Sequence, residues 1–171
     1  MGQETGTASL TLTAPVGIVV EEDRPLFTWT PAPGAVSYRV LVTSVRSQRV
    51  LRSGPLTATQ WRATMALPRG GIYSWVVEAT FGDGRETSAP APPAPLAKLK
   101  VLGGSEEEGL REARRLDPQS HLLLGVLYAR GGLMGPARRE METLSSENPG
   151  SEVARKLVRS VERARGWRYA R

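Results

Sequence analysis

The sequence predicts an α+β protein: an N-terminal antiparallel β-sandwich followed by a C-terminal α-helical region. Residues 10–102 hold about six or seven short runs in which apolar and polar residues alternate, separated by Pro, Gly and Asp. After Gly103-Gly104 the apolar residues recur with the period of a helix instead. The chain of 171 residues is long enough for two small domains. We therefore place the sandwich at 10–102 and the helical region at 105–166, and we expect flexible ends at 1–9 and 167–171.

The sandwich is predicted from short β runs and the turn signals between them. A hairpin turn is indicated at 81–85, because its Asp-Gly pair readily adopts positive backbone dihedrals. The proline-rich stretch 88–95 is typical of a stiff approach to a final edge strand, where proline is tolerated. A proline-rich ligand segment is the alternative for that stretch. The runs that we interpret as strands are Leu26–Trp29, Ser37–Val42, Ile72–Ala79 and Lys98–Leu102.

Aromatic residues recur along these runs at a spacing that resembles a known family. Pro25, Phe27 and Trp29, then Gly34-Ala35 and Tyr38, look like the second and third strands of a fibronectin type III or related immunoglobulin-like domain. The turn 67–71 and the following Tyr73, Trp75, Val77 and Ala79 resemble the sixth strand of that family. The resemblance covers about 14–102 and implies a two-sheet sandwich. We expect the rings of Trp29, Tyr38, Tyr73 and Trp75 to form its core, with a carbohydrate-stacking platform as the alternative.

The helical region is predicted to contain four helices. Ser105 with Glu108 three residues later indicates a capping box at the start of the first helix, which ends before Pro118. The second helix starts near Ser120 and ends at Gly131-Gly132. Pro136 opens the third helix, which ends before Asn148. The fourth begins at Ser151-Glu152 and reaches about Arg165.

Residues 120–149 resemble one tetratricopeptide repeat, a helical hairpin of about 34 residues. The chain departs from that family at His121, where Trp is common, and at Met141, where Phe is preferred. The resemblance implies binding of polypeptide rather than catalysis. Because a single repeat is too few for a solenoid, we expect the first and fourth helices to act as neighbours or caps. The matching positions are Leu124, Gly125, Tyr128, Gly132, Ala137, Met141, Leu144 and Pro149.

The second helix is apolar on every side, which is typical of a helix that is buried all round. Neighbouring helices can cover two of its sides. We expect the remaining side to meet the sandwich, another protomer or a ligand peptide. Leu122, Val126 and Arg130 are therefore candidate protein-interaction residues.

The fourth helix is predicted to be basic and amphipathic. Val153, Leu157 and Val161 form an apolar stripe, which we expect to pack on the third helix. Arg155, Arg159 and Arg163 lie on another face and are further candidates for protein interaction. Contact of this face with an anionic membrane surface is an alternative. Nucleic acid is not the expected partner, because base-stacking aromatics are lacking except Trp167 and Tyr169.

Catalysis and metal binding find little support in the composition. The chain has no cysteine and a single histidine, His121, which excludes thiolate sites and multi-histidine metal sites. No nucleophile elbow or phosphate-binding glycine loop is present. We interpret His121 as a packed helix residue. The sequence therefore predicts no enzyme, no catalytic residue, no metal site and no cofactor.

An immunoglobulin-like domain followed by a short tetratricopeptide-like tail resembles the extracytoplasmic region of bacterial membrane-anchored, anti-sigma-like proteins. The resemblance implies the periplasm or cell surface, although this chain shows no signal peptide and no apolar run long enough to span a membrane. The function expected from it is non-enzymatic protein–protein interaction or scaffolding in the bacterial cell envelope. A self-assembling structural subunit, as a homo-oligomer or filament, is the alternative. An unrecognised hydrolase is the third hypothesis.

Overall fold

The computed structural model describes residues 10–164. The expected flexible ends, 1–9 and 167–171, lie outside the described residues, as do the last two residues of the expected helical region. The strands are β1 (Leu12–Ala14), β2 (Ile18–Val20), β3 (Leu26–Trp29), β4 (Ala35–Ser44), β5 (Val50–Arg52), β6 (Gln60–Arg62), β7 (Ile72–Phe81), β8 (Glu86–Ala89) and β9 (Ala97–Val101). The helices are α1 (Gly104–Leu116), α2 (His121–Arg130), α3 (Met134–Glu147) and α4 (Glu152–Arg163). This content of sheet and helix confirms the α+β class.

The chain divides into two compact units. The first contains residues 10–16, 24–67 and 71–99. The second contains residues 17–23, 68–70 and 100–164. Two short segments from within 10–102 thus belong to the unit that carries the helices.

The first unit contains two sheets, and their pairs β1–β3, β3–β6, β4–β5, β4–β7 and β7–β8 are antiparallel. One sheet has the order β1-β3-β6, and the other places β4 between β5 and β7, with β8 and β9 both next to β7. The long β4–β7 ladder runs from the pair Ala35 and Phe81 to the pair Ser44 and Tyr73. Side chains of the two sheets meet in the interior, where the rings of Phe27 in β3 and Trp75 in β7 lie 4.9 Å apart. This arrangement is a β-sandwich, as predicted.

The aromatic residues singled out in the sequence form the core of this sandwich. Trp29, Tyr38, Tyr73 and Trp75 are between 1% and 5% exposed. Trp61 is also buried and stacks on Phe27. A carbohydrate platform needs exposed rings, so the alternative interpretation of these four residues is wrong.

Two local expectations in the sandwich need correction. The hairpin turn forms at 81–85, where the Phe81 N–H donates to the Arg85 carbonyl, but only Gly84 has a positive φ, of 82°. The last strand, β9, is not an edge strand. It pairs with β7 on one side and with β2 on the other.

The second unit is built around α1 to α4. The helix bounds agree with the predicted ones to within a few residues, but α1 has no capping box. Gly103 is its N-cap, and the Ser105 hydroxyl donates to the neighbouring Glu106 carboxylate instead. At α4 the expected start is confirmed, because the Ser151 hydroxyl accepts from the Ala154 N–H. The core of the unit comprises Val19, Leu102, Leu110, Ala113, Leu124, Tyr128, Leu133 and Ala137.

A close contact between α2 and α3 organises this unit. A Cβ placed on Gly125 of α2 would lie 2.6 Å from the terminal methyl of Met141 and 3.2 Å from the Cβ of Glu140, both in α3. Only glycine allows the two helices to approach so closely. Leu124, Tyr128 and Ala137 share one buried cluster around the contact.

Candidate functional site

The outward side of α2 is the most apolar exposed helix surface in the second unit. Leu122, Leu123 and Val126 are 47%, 41% and 40% exposed. At 100° per residue they and Arg130 fall within an arc of about 100° on one side of the helix. We call Leu122, Leu123, Val126 and Arg130 the α2 outward face.

Packing on the opposite side of α2 explains why these residues stay exposed. Leu124, Gly125 and Tyr128 point into the unit and are buried. Leu127 and Ala129 flank them and are partly buried against the same cluster. The core contacts of α2 are thus made mainly by these three buried residues. The leucines and valine on the other side have no role in that core.

The sequence left open what covers the remaining side of α2, and in the described residues that side is exposed. An apolar helix normally hides every side, but here three large aliphatic side chains face solvent. Sequence reasoning selected Leu122 and Val126 and missed Leu123. The sequence could have identified Leu123 as well, since it lies next to Arg130 in helical projection. The low amphipathicity of α2 arises because its outward side is as apolar as its buried side.

Arg130 is exposed at the C-terminal end of the α2 outward face. A cation at this end of a helix is favoured by the helix dipole. Among residues 10–164, no carboxylate forms an ion pair with its guanidinium. The face therefore combines an aliphatic centre with one cation at its border.

His121, at the start of α2, faces two carboxylates of α3. Its Nδ1 lies 2.7 Å from Oε2 of Glu140, and its Nε2 lies 3.6 Å from Oε1 of Glu147. The hydrogen bond to Glu140 is the main cause that raises the pKa of His121, and the charges of Glu147 and Glu140 add to it. The side chain is about a quarter exposed, at 23%. His121 therefore joins α2 to α3 through its side-chain contacts.

The basic residues of α4 lie on its exposed side. Arg155, Arg159 and Arg163 are all exposed, as predicted. The expected apolar stripe is rotated, however, because Val153 is 67% exposed while Ala154 is buried. The packed side of α4 is formed by Ala154, Leu157, Val158 and Val161. Contact of the α4 arginines with protein or with an anionic membrane stays a prediction.

Metal binding and membrane insertion find no support in the described part of the chain. Among residues 10–164, no group of three or more His, Asp or Glu is placed to hold a metal ion. No helix within the same range is long and apolar enough to cross a membrane.

Comparison with known proteins gives matches only among solved structures. No family model matches the chain, and no curated protein matches it. An Fn3-like protein from Clostridium thermocellum is 25% identical, with 54% of this chain and 90% of that chain covered, at a TM-score of 0.38. The fn3 domain of the human collagen alpha-1(XX) chain is 18% identical, with 55% and 96% covered, at a TM-score of 0.36.

Proposed function

We propose that this chain is a non-enzymatic polypeptide-binding protein and that the α2 outward face is its docking surface. The observation that carries the proposal is the exposure of Leu122, Leu123 and Val126 on a helix whose opposite side is fully packed. The partner is an amphipathic peptide segment. Its aliphatic side chains cover these three residues, and an acidic side chain reaches Arg130.

The chemistry of the face supports this partner. Burial of apolar surface is the main favourable contribution to protein association. Interfaces typically combine an apolar centre with a polar rim, and arginine is common among the residues that contribute most to binding. The α2 outward face has both parts, with Arg130 at the rim.

We further propose that the protein works as a scaffold in the bacterial cell envelope. The support is the order of a fibronectin-like sandwich followed by a tetratricopeptide-like tail. That order resembles the extracytoplasmic region of membrane-anchored bacterial proteins. Proteolytic shaving of intact cells tests this setting, since an envelope protein is cleaved from outside the cytoplasm while a cytoplasmic control protein is not.

Selection of peptides from a displayed random library against the full chain tests the docking surface. The proposal expects enriched sequences with aliphatic residues at helical spacing and a nearby Asp or Glu. Their binding should be lost in Leu122→Lys and Val126→Lys and kept in Val153→Lys, a matched change at an exposed valine of α4. Enriched peptides that bind all three variants equally would refute the site.

The self-assembling subunit is the competing function, because the same apolar face could pair with a second copy. Sedimentation of the unmodified chain over a range of concentrations separates the two. The peptide-binding proposal expects one species whose mass does not change with concentration. An oligomer that Leu122→Lys dissociates would favour self-assembly instead.

A further inference from the structure

The first unit carries a one-sided charge distribution that the α2 outward face does not explain. Between residues 24 and 77 the chain has seven arginines and no aspartate or glutamate. Some of these arginines have structural roles: Arg62 donates to the Arg24 carbonyl, and Arg39 approaches Glu78 at 3.9 Å. Three others, Arg46, Arg49 and Arg52, are exposed and lie together in the β4–β5 hairpin.

These three arginines form no ion pair within the described residues, and the hairpin itself contains no acid that could neutralise them. We call Arg46, Arg49 and Arg52 the hairpin arginines. Their spacing of three residues places one in the turn, one just before β5 and one at the end of β5. The hairpin therefore presents a concentrated positive charge to solvent.

The same hairpin forms an edge of its sheet. β5 pairs with β4 on one side and is the last strand in the order. The Ser44 N–H donates to the Arg49 carbonyl, and the Ser53 N–H donates to the Val40 carbonyl, both at 2.9 Å. Bonded and non-bonded pairs alternate in an antiparallel ladder, so the backbone groups of Val50 and Arg52 point away from β4. An incoming strand can pair with them.

We infer that the β5 edge is a second binding site, which takes an extended acidic segment of another polypeptide as an additional strand. The partner's backbone pairs with Val50 and Arg52, and its carboxylates meet the hairpin arginines. The side chain of Val50, 47% exposed, gives the partner an apolar contact between two charged ones. Strand addition of this kind obtains affinity from main-chain hydrogen bonds and specificity from side chains at alternate positions.

Charge decides against a second copy of the chain at this edge. Antiparallel pairing of two β5 strands would bring the arginines of one copy next to those of the other. Like charges directly opposite each other destabilise a sheet. A partner with acidic residues removes this repulsion and forms charge-assisted hydrogen bonds with the guanidinium groups.

A nucleic acid fits the hairpin less well than an acidic polypeptide. Single-stranded nucleic acid is bound through aromatic platforms as well as through positive charge. No aromatic residue occurs between Tyr38 and Trp61. Moreover, a nucleic acid or another polyanion has no backbone amide with which to use the free edge of β5.

Titration of the full chain with a capped ten-residue peptide that alternates glutamate with threonine tests this inference. Controls are the same peptide with lysine in place of glutamate, and inorganic polyphosphate. Affinity is followed by fluorescence anisotropy, and the site by amide hydrogen exchange. We expect the glutamate peptide to bind and to slow exchange at Val50 and Arg52, while the lysine peptide does not bind.

Three variants separate the edge from the charge. Arg49→Glu should weaken binding about tenfold or more, which corresponds to one lost charge-assisted hydrogen bond. Val50→Pro should weaken it similarly without any change in charge, because proline removes the outward N–H and is tolerated on an edge strand. Arg24→Glu, an equal change in net charge outside the hairpin, should leave affinity within about twofold.

The opposite results would overturn the inference. Absence of peptide binding, or equal binding of the lysine peptide, excludes an acidic strand as the partner. Binding of peptide or polyphosphate that Val50→Pro leaves unchanged, with no slowed exchange at Val50 and Arg52, indicates a general anion site. An equal loss in Arg24→Glu indicates that only net charge matters. None of these outcomes depends on the α2 outward face.

Discussion

Arg114 of α1 holds Glu21 through two parallel hydrogen bonds of 2.5 and 2.9 Å, across 93 positions of sequence. The same guanidinium donates to the hydroxyl of Tyr128 in α2 and lies over its ring, at 5.4 Å from the centroid. Arg69 donates to the backbone carbonyl of Glu21. These contacts attach residues 17–23 to the helices of the second unit.

We predict that Arg114→Met destabilises the protein by about 1–2 kcal/mol, because its two hydrogen bonds to a carboxylate are lost. This value is already lowered because the Arg114 side chain is 38% exposed to solvent. Arg115→Met provides the matched control. Arg115 is the next residue of α1, and among residues 10–164 it pairs only with Glu112 on the exposed side of its own helix, so its loss should cost less than about 0.5 kcal/mol. Urea unfolding of both variants measures the difference. Equal effects would mean that the contact with Glu21 contributes nothing beyond an ordinary surface pair.

Local patterns predicted most of the elements correctly. The run Leu26–Trp29 is β3, and α1, α2 and α3 end where Pro, Gly and Asn interrupt the apolar period. These features depend on backbone preferences of a few neighbouring residues, which sequence reveals directly. The contact between Glu21 and Arg114 could not be predicted in this way. Nothing in the residues around either one signals a partner 93 positions away.

The candidate site was predicted in part. Leu122, Val126 and Arg130 were selected because a helix that is apolar on every side needs a partner for each side. Which side would stay open depended on where α1 and α3 pack, and Gly125 allows the close approach of α3. The rotation of α4 had a similar cause. The small Ala154 packs closely, so the larger Val153 turns outward.

His121 gives the protein a predicted dependence on pH. Its pKa is raised above the ordinary value of 6.5, first by the hydrogen bond to Glu140. A raised pKa in the folded state means that the protonated form stabilises the fold, and this contribution is complete below about pH 6.5. It is lost as the pH rises through the higher folded value. The free energy of unfolding should therefore fall over this range, as measured by urea unfolding at a series of pH values.

The control for this prediction is the difference between the natural chain and two variants. In His121→Asn and in Glu140→Gln the decrease above about pH 6.5 should be absent or much smaller. The other titrating groups are common to all three proteins and cancel in the comparison. A decrease of equal size in His121→Asn would show that another group is responsible.

Two glycine-to-alanine changes should have opposite signs. Gly125→Ala places a Cβ against the buried Met141 and against Glu140, so we expect a loss of about 1–3 kcal/mol from overpacking. Gly109→Ala lies inside α1 with open space around the new methyl, so helix propensity should stabilise the protein by about 0.5–1 kcal/mol. Thermal unfolding measures both. A stabilised Gly125→Ala would show that α2 and α3 are not in close contact there.

Leu124→Ala and Arg159→Ala test the assignment of faces in the helical unit. Leu124 is 5% exposed in the core cluster, and its truncation should cost roughly 2–5 kcal/mol. Arg159 is exposed on α4, and its truncation should change stability by less than about 0.5 kcal/mol. Urea unfolding again gives both values. A larger loss for Arg159 would mean that the basic side of α4 is a buried interface.

The most direct test of the proposed function compares Leu122→Ala with Leu124→Ala, two identical changes two residues apart on opposite sides of α2. Each variant is measured for its free energy of unfolding and for its affinity for a peptide selected on the natural chain. We predict that Leu122→Ala weakens the peptide about tenfold or more while it costs less than about 1 kcal/mol of stability. A Leu122→Ala variant that binds the peptide as tightly as the natural chain would contradict the account, and so would one that loses as much stability as Leu124→Ala.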